Sequence, residues 1–388
     1  MSNKSELPKL PRFKSNYYWV PLSEDSIQLR SIENIYILTG ESVTNLVPRV
    51  VPLLDGTRTL DNLYKSLPDV NPEVIDSLII RFSQFFFIED AAAENASSLT
   101  SEEIEMNQNQ LEYFSLFSER YLPDGEIVSK YRVFETLKNS SCLVIGLGNV
   151  GMYVVASLAE AGIGTILGYD TSNVMPNNIG VFCEKKDLGT KRSTIAESIA
   201  KKANPNINFK SNSNNSEAEL IELICESDLV ILASDVTLDS EYTRINEMCI
   251  NENKTWLSVR VAETEVEVGP MIVPKQTPCF TCYSSRLNGN MSHFDENKAY
   301  SNYKESAKGE ITFSSIPAMY TMAASIATIE IIKKITSIIH PLSLSHVINY
   351  NMITMETKSS SILRIPRCES CGNLVDSPSI APYSVFLS

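Results

Sequence analysis

Cys142–Leu143–Val144–Ile145–Gly146–Leu147–Gly148–Asn149–Val150–Gly151 is a short apolar run that ends in a Gly-x-Gly-x-x-Gly turn. The residues after it, Met152 to Ala161, read as a helix. Strand, glycine turn and helix in that order is the context a nucleotide-binding turn requires. The glycines let the backbone approach a phosphate, and the helix start offers free N–H groups and the positive end of a dipole. Thr165 to Tyr169 is a second strand. It closes at Asp170, 19 residues beyond Gly151 (151 to 170), where an acid can accept from ribose hydroxyls. Lys191 to Ala203 reads as a helix, and Asp228 to Ala233 and Trp256 to Val261 read as further strands. The alternation predicts an α/β, Rossmann-like domain on a parallel sheet. The turn alone leaves open a packing role without nucleotide, or a nicotinamide site.

Two Cys-x-x-Cys pairs narrow that choice: Cys279–Phe280–Thr281–Cys282 beside Pro278, and Cys368–Glu369–Ser370–Cys371 near Pro366. One such turn aims two thiolates at a point, and tetrahedral zinc needs two. The pairs lie 86 residues apart (282 to 368), so zinc on Cys279, Cys282, Cys368 and Cys371 would tie a loop inside the domain to the C-terminal tail. That is a structural role. Cys142, Cys183, Cys225 and Cys249 show no disulfide spacing, as in reducing cytosol. A nicotinamide oxidoreductase fits the zinc pairs badly and lacks a plausible proton donor. His293 falls in a loop, His340 precedes Pro341, and His346 begins a strand. Cys183 is the sole candidate nucleophile.

The 388 residues are 43% hydrophobic and 21% charged, with a net charge of −14. The acidic balance argues against a nucleic-acid partner, because phosphate binding needs a basic surface. Met1 to Glu6 has no apolar core, so no signal peptide is expected. The most apolar helical run, Ile316 to Ile332, contains Glu330 and reads as a core helix rather than a membrane span. A cytoplasmic protein without a membrane partner is expected.

The N-terminal part has a different texture. Residues 1–15 are expected to be flexible. Short strand-like pieces follow at Tyr17–Val20, Ser26–Arg30 and Asn34–Leu38, then helical patterns at Ser42–Leu54, Thr59–Leu67 and Asn71–Phe87. Three strands then three helices predict a small winged-helix domain over 16–92. Residues 93–126 read as a linker and helix, and 127–388 as the Rossmann-like domain. Asn288 to Gly309 is polar and reads as an irregular insertion.

From about residue 127 onward the chain resembles the ThiF/MoeB family of ubiquitin-activating-like adenylyltransferases. The matching features are Gly146, Gly148 and Gly151, Asp170, Asn178, Gly189-x-Lys191, Asp235, the two cysteine pairs and the helix Ile326–Lys333. The resemblance implies ATP-dependent activation of a C-terminal carboxylate, a structural zinc and a homodimer. It further implies that Asp170 holds ribose, Lys191 the phosphates and Asp235 a magnesium ion. The chain departs from the family where Val-x-x-Ser-Asn-Leu-x-Arg-Gln is usual. Here the stretch is Val174–Met175–Pro176–Asn177–Asn178–Ile179–Gly180–Val181–Phe182, and Asp235–Val236 stands for the usual Asp-Asn. An apolar Val181–Phe182 pair cannot replace a cation that neutralises a reacting triphosphate. The nucleotide site is therefore expected to be vestigial, with no catalytic residue and at most weak ATP/Mg2+ binding.

Residues 16 to about 90 resemble the PqqD-like peptide-recognition modules, on element order and on Leu54–Asp55–Gly56–Thr57–Arg58–Thr59–Leu60. A sheet with an open edge can accept a peptide as an added strand. Tyr36 and Ile37, with Ile79, Phe82 and Phe85, are the candidate groove; the competing reading makes most of them core. The combination resembles ocin-ThiF-like partner proteins of azoline-forming, thiopeptide-type pathways, as does Gly269–Pro274. That implies binding of a precursor-peptide leader and presentation to a YcaO cyclodehydratase, with an azoline dehydrogenase as a further partner. The alternative is an active MccB-type peptide adenylyltransferase.

Overall fold

The structure is a computed structural model that describes residues 7–31, 34–118, 128–212, 214, 216–233, 235, 238–307 and 314–372, the side chains at 41 and 42 excepted. The chain divides into two compact units, Met1–Thr136 and Leu137–Ser388.

In the first unit, β1 (Pro11–Phe13) pairs antiparallel with β5 (Ile88–Asp90), and β2 (Tyr18–Ser23), β3 (Ser26–Arg30) and β4 (Ile35–Thr39) form a separate antiparallel sheet in that order. Between them lie α1 (Glu41–Val50), α2 (Leu60–Ser66) and α3 (Pro72–Gln84). Local chemistry explains the helix starts. Thr59 accepts from Asn62 N at α2, while Asn71 accepts from Glu73 N and Pro72 takes the first position of α3. Ile27, Leu29, Val47, Leu63, Ile75, Ile79 and Phe82 fill the core.

Two expectations change here. The N-terminal stretch is not free from residue 7 onward: β1 is paired, and buried Lys14 donates through Nζ to Ser115 O at 2.7 Å. The stretch expected to be linker carries α4 (Ala92–Asn95) and α5 (Ser101–Met106); α6 (Gln108–Ser115) falls where a helix was expected, and α7 (Lys130–Lys138) follows. Its polar composition hid a capping box, in which Thr100 accepts from Glu103 N and Glu103 accepts from Thr100 N.

In the second unit, β6 (Ser141–Ile145) leads through the glycine turn into α8 (Asn149–Glu160), and β7 (Thr165–Tyr169) follows. Next come α9 (Arg192–Ala203), β8 (Asn208–Ser211), α10 (Glu217–Glu226), β9 (Leu229–Ala233), α11 (Asp239–Asn251), β10 (Thr255–Ala262) and β11 (Glu265–Ile272). Then come α12 (Phe280–Asn290), α13 (Phe294–Ser306), α14 (Pro317–Thr336), β12 (His346–Asn351) and β13 (Thr357–Ser361). One eight-stranded sheet has the order β13-β12-β11-β10-β9-β6-β7-β8. Strands β10 to β8 are parallel, and β10 to β13 are antiparallel. The sheet is thus mixed rather than parallel throughout. Only Glu263 and Thr264 separate β10 from β11, a hairpin length, and a parallel pair would need a crossover. Glu263 takes a positive φ of 52° there, a role more often given to Asn or Gly, so the turn has no strong sequence signal.

β6 and β9 are almost wholly buried, as parallel strands covered on both faces must be. The chain leaves β6 for β7 on one side, then returns at β9 on the other. The crevice at their carboxyl ends is the topological switch point, where open α/β sheets bind ligands. The stretch 288–309 is not irregular as far as it is described: it completes α12 and forms α13. Helix α13 has no buried residue and is tied down by Ser240 and Ser301, whose hydroxyls donate to Glu305 and Asp239. Its lack of an apolar face removed the usual helical signal. Helix α14 matches the expected core helix, and its buried Glu330 accepts from Ser343 N, Ser343 Oγ and Lys333 Nζ. Among the described residues no helix is long and apolar enough to cross a membrane.

Candidate functional site

The glycine turn lies at the switch point. Gly151, in the first turn of α8, faces the carbonyl of Gly146, and a Cβ there would overlap that oxygen. The third glycine is therefore needed for the helix to pack this close to its own turn. Four of the backbone N–H groups that follow β6 are already taken. Gly146 N donates to Tyr169 O at 2.9 Å, and Leu147 N donates to Asp170 Oδ2 at 2.7 Å. Asn149 N and Val150 N donate to the two oxygens of Asp235, at 2.6 and 2.9 Å. Burial pushes the Asp235 carboxyl above its ordinary value, while these two N–H groups and Arg192 pull it back.

Asn178 joins the same network. Its Oδ1 accepts from Met175 N and Arg192, and its amide donates to Asn149 Oδ1 at 3.2 Å. The structure therefore brings together Gly146, Gly148, Gly151, Asp170, Asn178 and Asp235. It does not bring in Lys191, whose side chain is exposed. The cation that reaches the turn is its neighbour Arg192, 3.4 Å from Asp170 Oδ2 and 3.1 Å from Asn178 Oδ1. Val181 is 80% exposed and supplies no charge, and Phe182 packs edge-on against Tyr153 with ring centroids 4.7 Å apart. Val236 lies outside the described residues. Cys183 is buried beside Met152, and that burial raises its thiol pKa, which removes it as a ready nucleophile.

The four cysteines predicted for zinc do meet. Cys279, Cys282, Cys368 and Cys371 are all buried, with their sulfurs within 4.8 Å of one another. The closest separations are 3.9 Å (279 to 282), 3.5 Å (279 to 368) and 3.6 Å (282 to 371). A tetrahedron with Zn–S bonds near 2.3 Å has edges of about 3.8 Å, so the donor set fits the ion. Cys279 occupies the N-cap position of α12 and Cys282 lies in its first turn, where the helix dipole favours thiolate. Ile365 N donates to Cys282 Sγ at 3.4 Å, and Thr281 and Ser370 hydroxyls bond across the two turns at 2.7 Å. Hydrogen bonds from Cys279 and Cys371 draw Cys282 well below the ordinary range, while Cys279 is pushed up to about 11 by the bond with Cys282. A bound metal replaces such shared protons.

In the first unit the expected groove residues divide between faces. Ile79 and Phe82 are buried in the core. Tyr36 and Phe85 are partly buried, and Tyr36 packs on the Phe85 and Phe87 rings. Ile37 is 60% exposed on the opposite face of β4, because successive strand residues alternate. β4 is an edge of its sheet.

Against known proteins, the profile described as the ThiF family matches residues 124–373. The chain belongs to the ThiF family. Molybdopterin-synthase adenylyltransferase of Escherichia coli (strain K12) is 25% identical to this ThiF chain over 241 residues, which is 61% of the chain and 89% of the relative. The crystal structure of E. coli MccB with selenomethionine MccA has a TM-score of 0.71 at 18% identity, covering 94% of this chain and 99% of MccB. The heterocyclase TruD has a TM-score of 0.62 at 18% identity, covering 94% of this chain but 43% of TruD. At such identities the structural likeness is one of fold.

Two residues of this ThiF-family site escaped sequence reasoning. Arg192 follows a lysine that attracted the assignment, and only the helix phase starting at Arg192 shows which cation turns inward. Its Nε is enclosed with no hydrogen-bond partner. Asn149 sits at a variable position of the glycine motif, yet its side chain links Asn177 O and Asn178.

Proposed function

We propose that this chain is a leader-peptide-binding scaffold that presents a ribosomally made precursor peptide to a YcaO cyclodehydratase and activates that enzyme. The products would be thiazoline or oxazoline rings, as in thiopeptide and related antibiotic biosynthesis. The observation that carries the reading is the turn: its glycines are intact, its N–H groups hold the chain's own carboxylates, and exposed Val181 stands where a phosphate-neutralising cation is expected. The likeness to TruD, a heterocyclase, supports a place beside ring-forming enzymes. The structure of MccB with MccA supports a peptide as the ligand. In this reading residues 16–92 recognise the leader, which adds as a strand to β4 while Tyr36 and Phe85 contact its side chains. Residues 127–388 form a cytoplasmic homodimeric body held by one zinc on Cys279, Cys282, Cys368 and Cys371. An azoline dehydrogenase would act after ring closure.

The second reading, an active peptide adenylyltransferase, is favoured by the near-complete overlap with MccB. Reconstitution separates the two. Precursor peptide, ATP and Mg2+ with the YcaO partner should yield loss of one water per ring only when this protein is present. Ring formation at the same rate without it would remove the scaffold reading.

A further inference from the structure

The same carboxylates that mark the turn as a former nucleotide site also control its availability. We propose that Asp235 is an internal occupant of the phosphate cradle, so that the turn accepts a nucleotide only after this side chain has left it. The inference rests on reading the turn as derived from a nucleotide site, and concerns what fills it.

The first N–H groups of a helix have no partner inside the helix, which is why phosphates settle there. In this chain Asn149 and Val150 are the first two residues of α8, and both of their N–H groups go to Asp235. The two oxygens accept one bond each, so the carboxylate spans the helix start as two oxygens of a phosphate would. Leu147 N, two residues before the helix start, is held by Asp170. Gly148 is what admits the plug, since a Cβ there would overlap the Asp235 carboxylate. The glycine that would let a phosphate approach thus lets a side chain approach.

Charge points the same way. Asp170 and Asp235 face the turn, and among the described residues the guanidinium of Arg192 is the cation that acts on both. An incoming triphosphate must displace Asp235 from its donors and then sit beside two carboxylates and one cation. Asp235 as a magnesium ligand would instead assist nucleotide binding, so the two roles give opposite results for one variant.

The test uses the full-length protein, with no precursor peptide or partner enzyme, so that its outcome does not depend on scaffold function. ATP affinity is measured by calorimetry, with EDTA and with Mg2+, for the wild type, Asp235→Ala and Asp235→Asn. Removing a like charge in contact at a partly buried site is expected to strengthen Mg-free ATP binding about tenfold or more. Unchanged or weaker Mg-free binding in both variants would overturn the proposal. If neither variant folds, amide exchange in the nucleotide-free wild type decides. The Asn149 and Val150 amides should be protected, and saturating ATP should not be needed for that protection. Rapid exchange at both amides without ATP would overturn the plug.

Discussion

The cysteine cluster and the glycine turn are both short motifs that can be read by eye, and they end in opposite states. The cluster is complete: four buried sulfurs lie at the separations a tetrahedral ion needs, with a helix start and an N–H donor on the thiolates. The turn keeps every glycine, yet three of its donors are spent on Asp170 and Asp235, and Val181 supplies no cation. The difference teaches that a motif specifies backbone shape, whereas the charge that makes the shape useful comes from residues tens of positions away. For zinc the ligands are the motif. For a nucleotide the motif is only the floor of the site.

The largest effect should come from the metal. Structural zinc in small modules contributes on the order of 10 kcal/mol. Cys282→Ser, or prolonged chelation, should release the metal and lower Tm steeply, and metal analysis of the wild type should give one zinc per chain. A metal-free wild type that melts like the purified protein would break the contrast. Next comes Gly151→Ala. The added methyl would overlap Gly146 O, so a loss of about 2–4 kcal/mol in denaturant unfolding is expected, whether or not the turn ever meets a nucleotide. A near-neutral result would show that the turn is loosely packed.

Replacing Tyr36 by proline should weaken binding of labelled leader peptide, because proline removes a main-chain donor from β4. Unchanged binding would move the peptide away from β4. The smallest effects separate two neighbours. Arg192→Ala should cost about 1–3 kcal/mol, since it removes one charged partner from Asp170 and one donor from Asn178. Lys191→Ala, at an exposed side chain, should stay within about 0.5 kcal/mol. Equal costs would mean that the inward cation has been misassigned.

Much of the second unit was legible. The buried strands β6 and β9 are continuous apolar runs, and the turn and cysteine spacings carry their own geometry. What was not legible lay in pairings distant in sequence. The hairpin after Ala262 turns on Glu263 and Thr264, residues with no strong turn signal. Asp235 reaches α8 from the end of β9, 85 residues beyond Val150, and no local pattern shows which backbone it meets. Helix α13 lacks an apolar face, and α5 is announced by a capping box rather than by periodicity. In the first unit, Ile79 and Phe82 were candidate groove residues with a core role as the competing reading; both lie in the core, and the sequence does not show which apolar residues the sheet covers.

The central claim is that the turn of this chain no longer supports transfer of an adenylyl group to a peptide. ATP–pyrophosphate exchange with the purified full-length protein, Mg2+ and precursor peptide tests it most directly. Loss of one charge-stabilising group typically costs about a hundredfold or more in rate, and here exposed Val181 offers none. No peptide-dependent exchange is the predicted result. Robust peptide-dependent exchange by this protein alone would contradict the account and establish the adenylyltransferase reading.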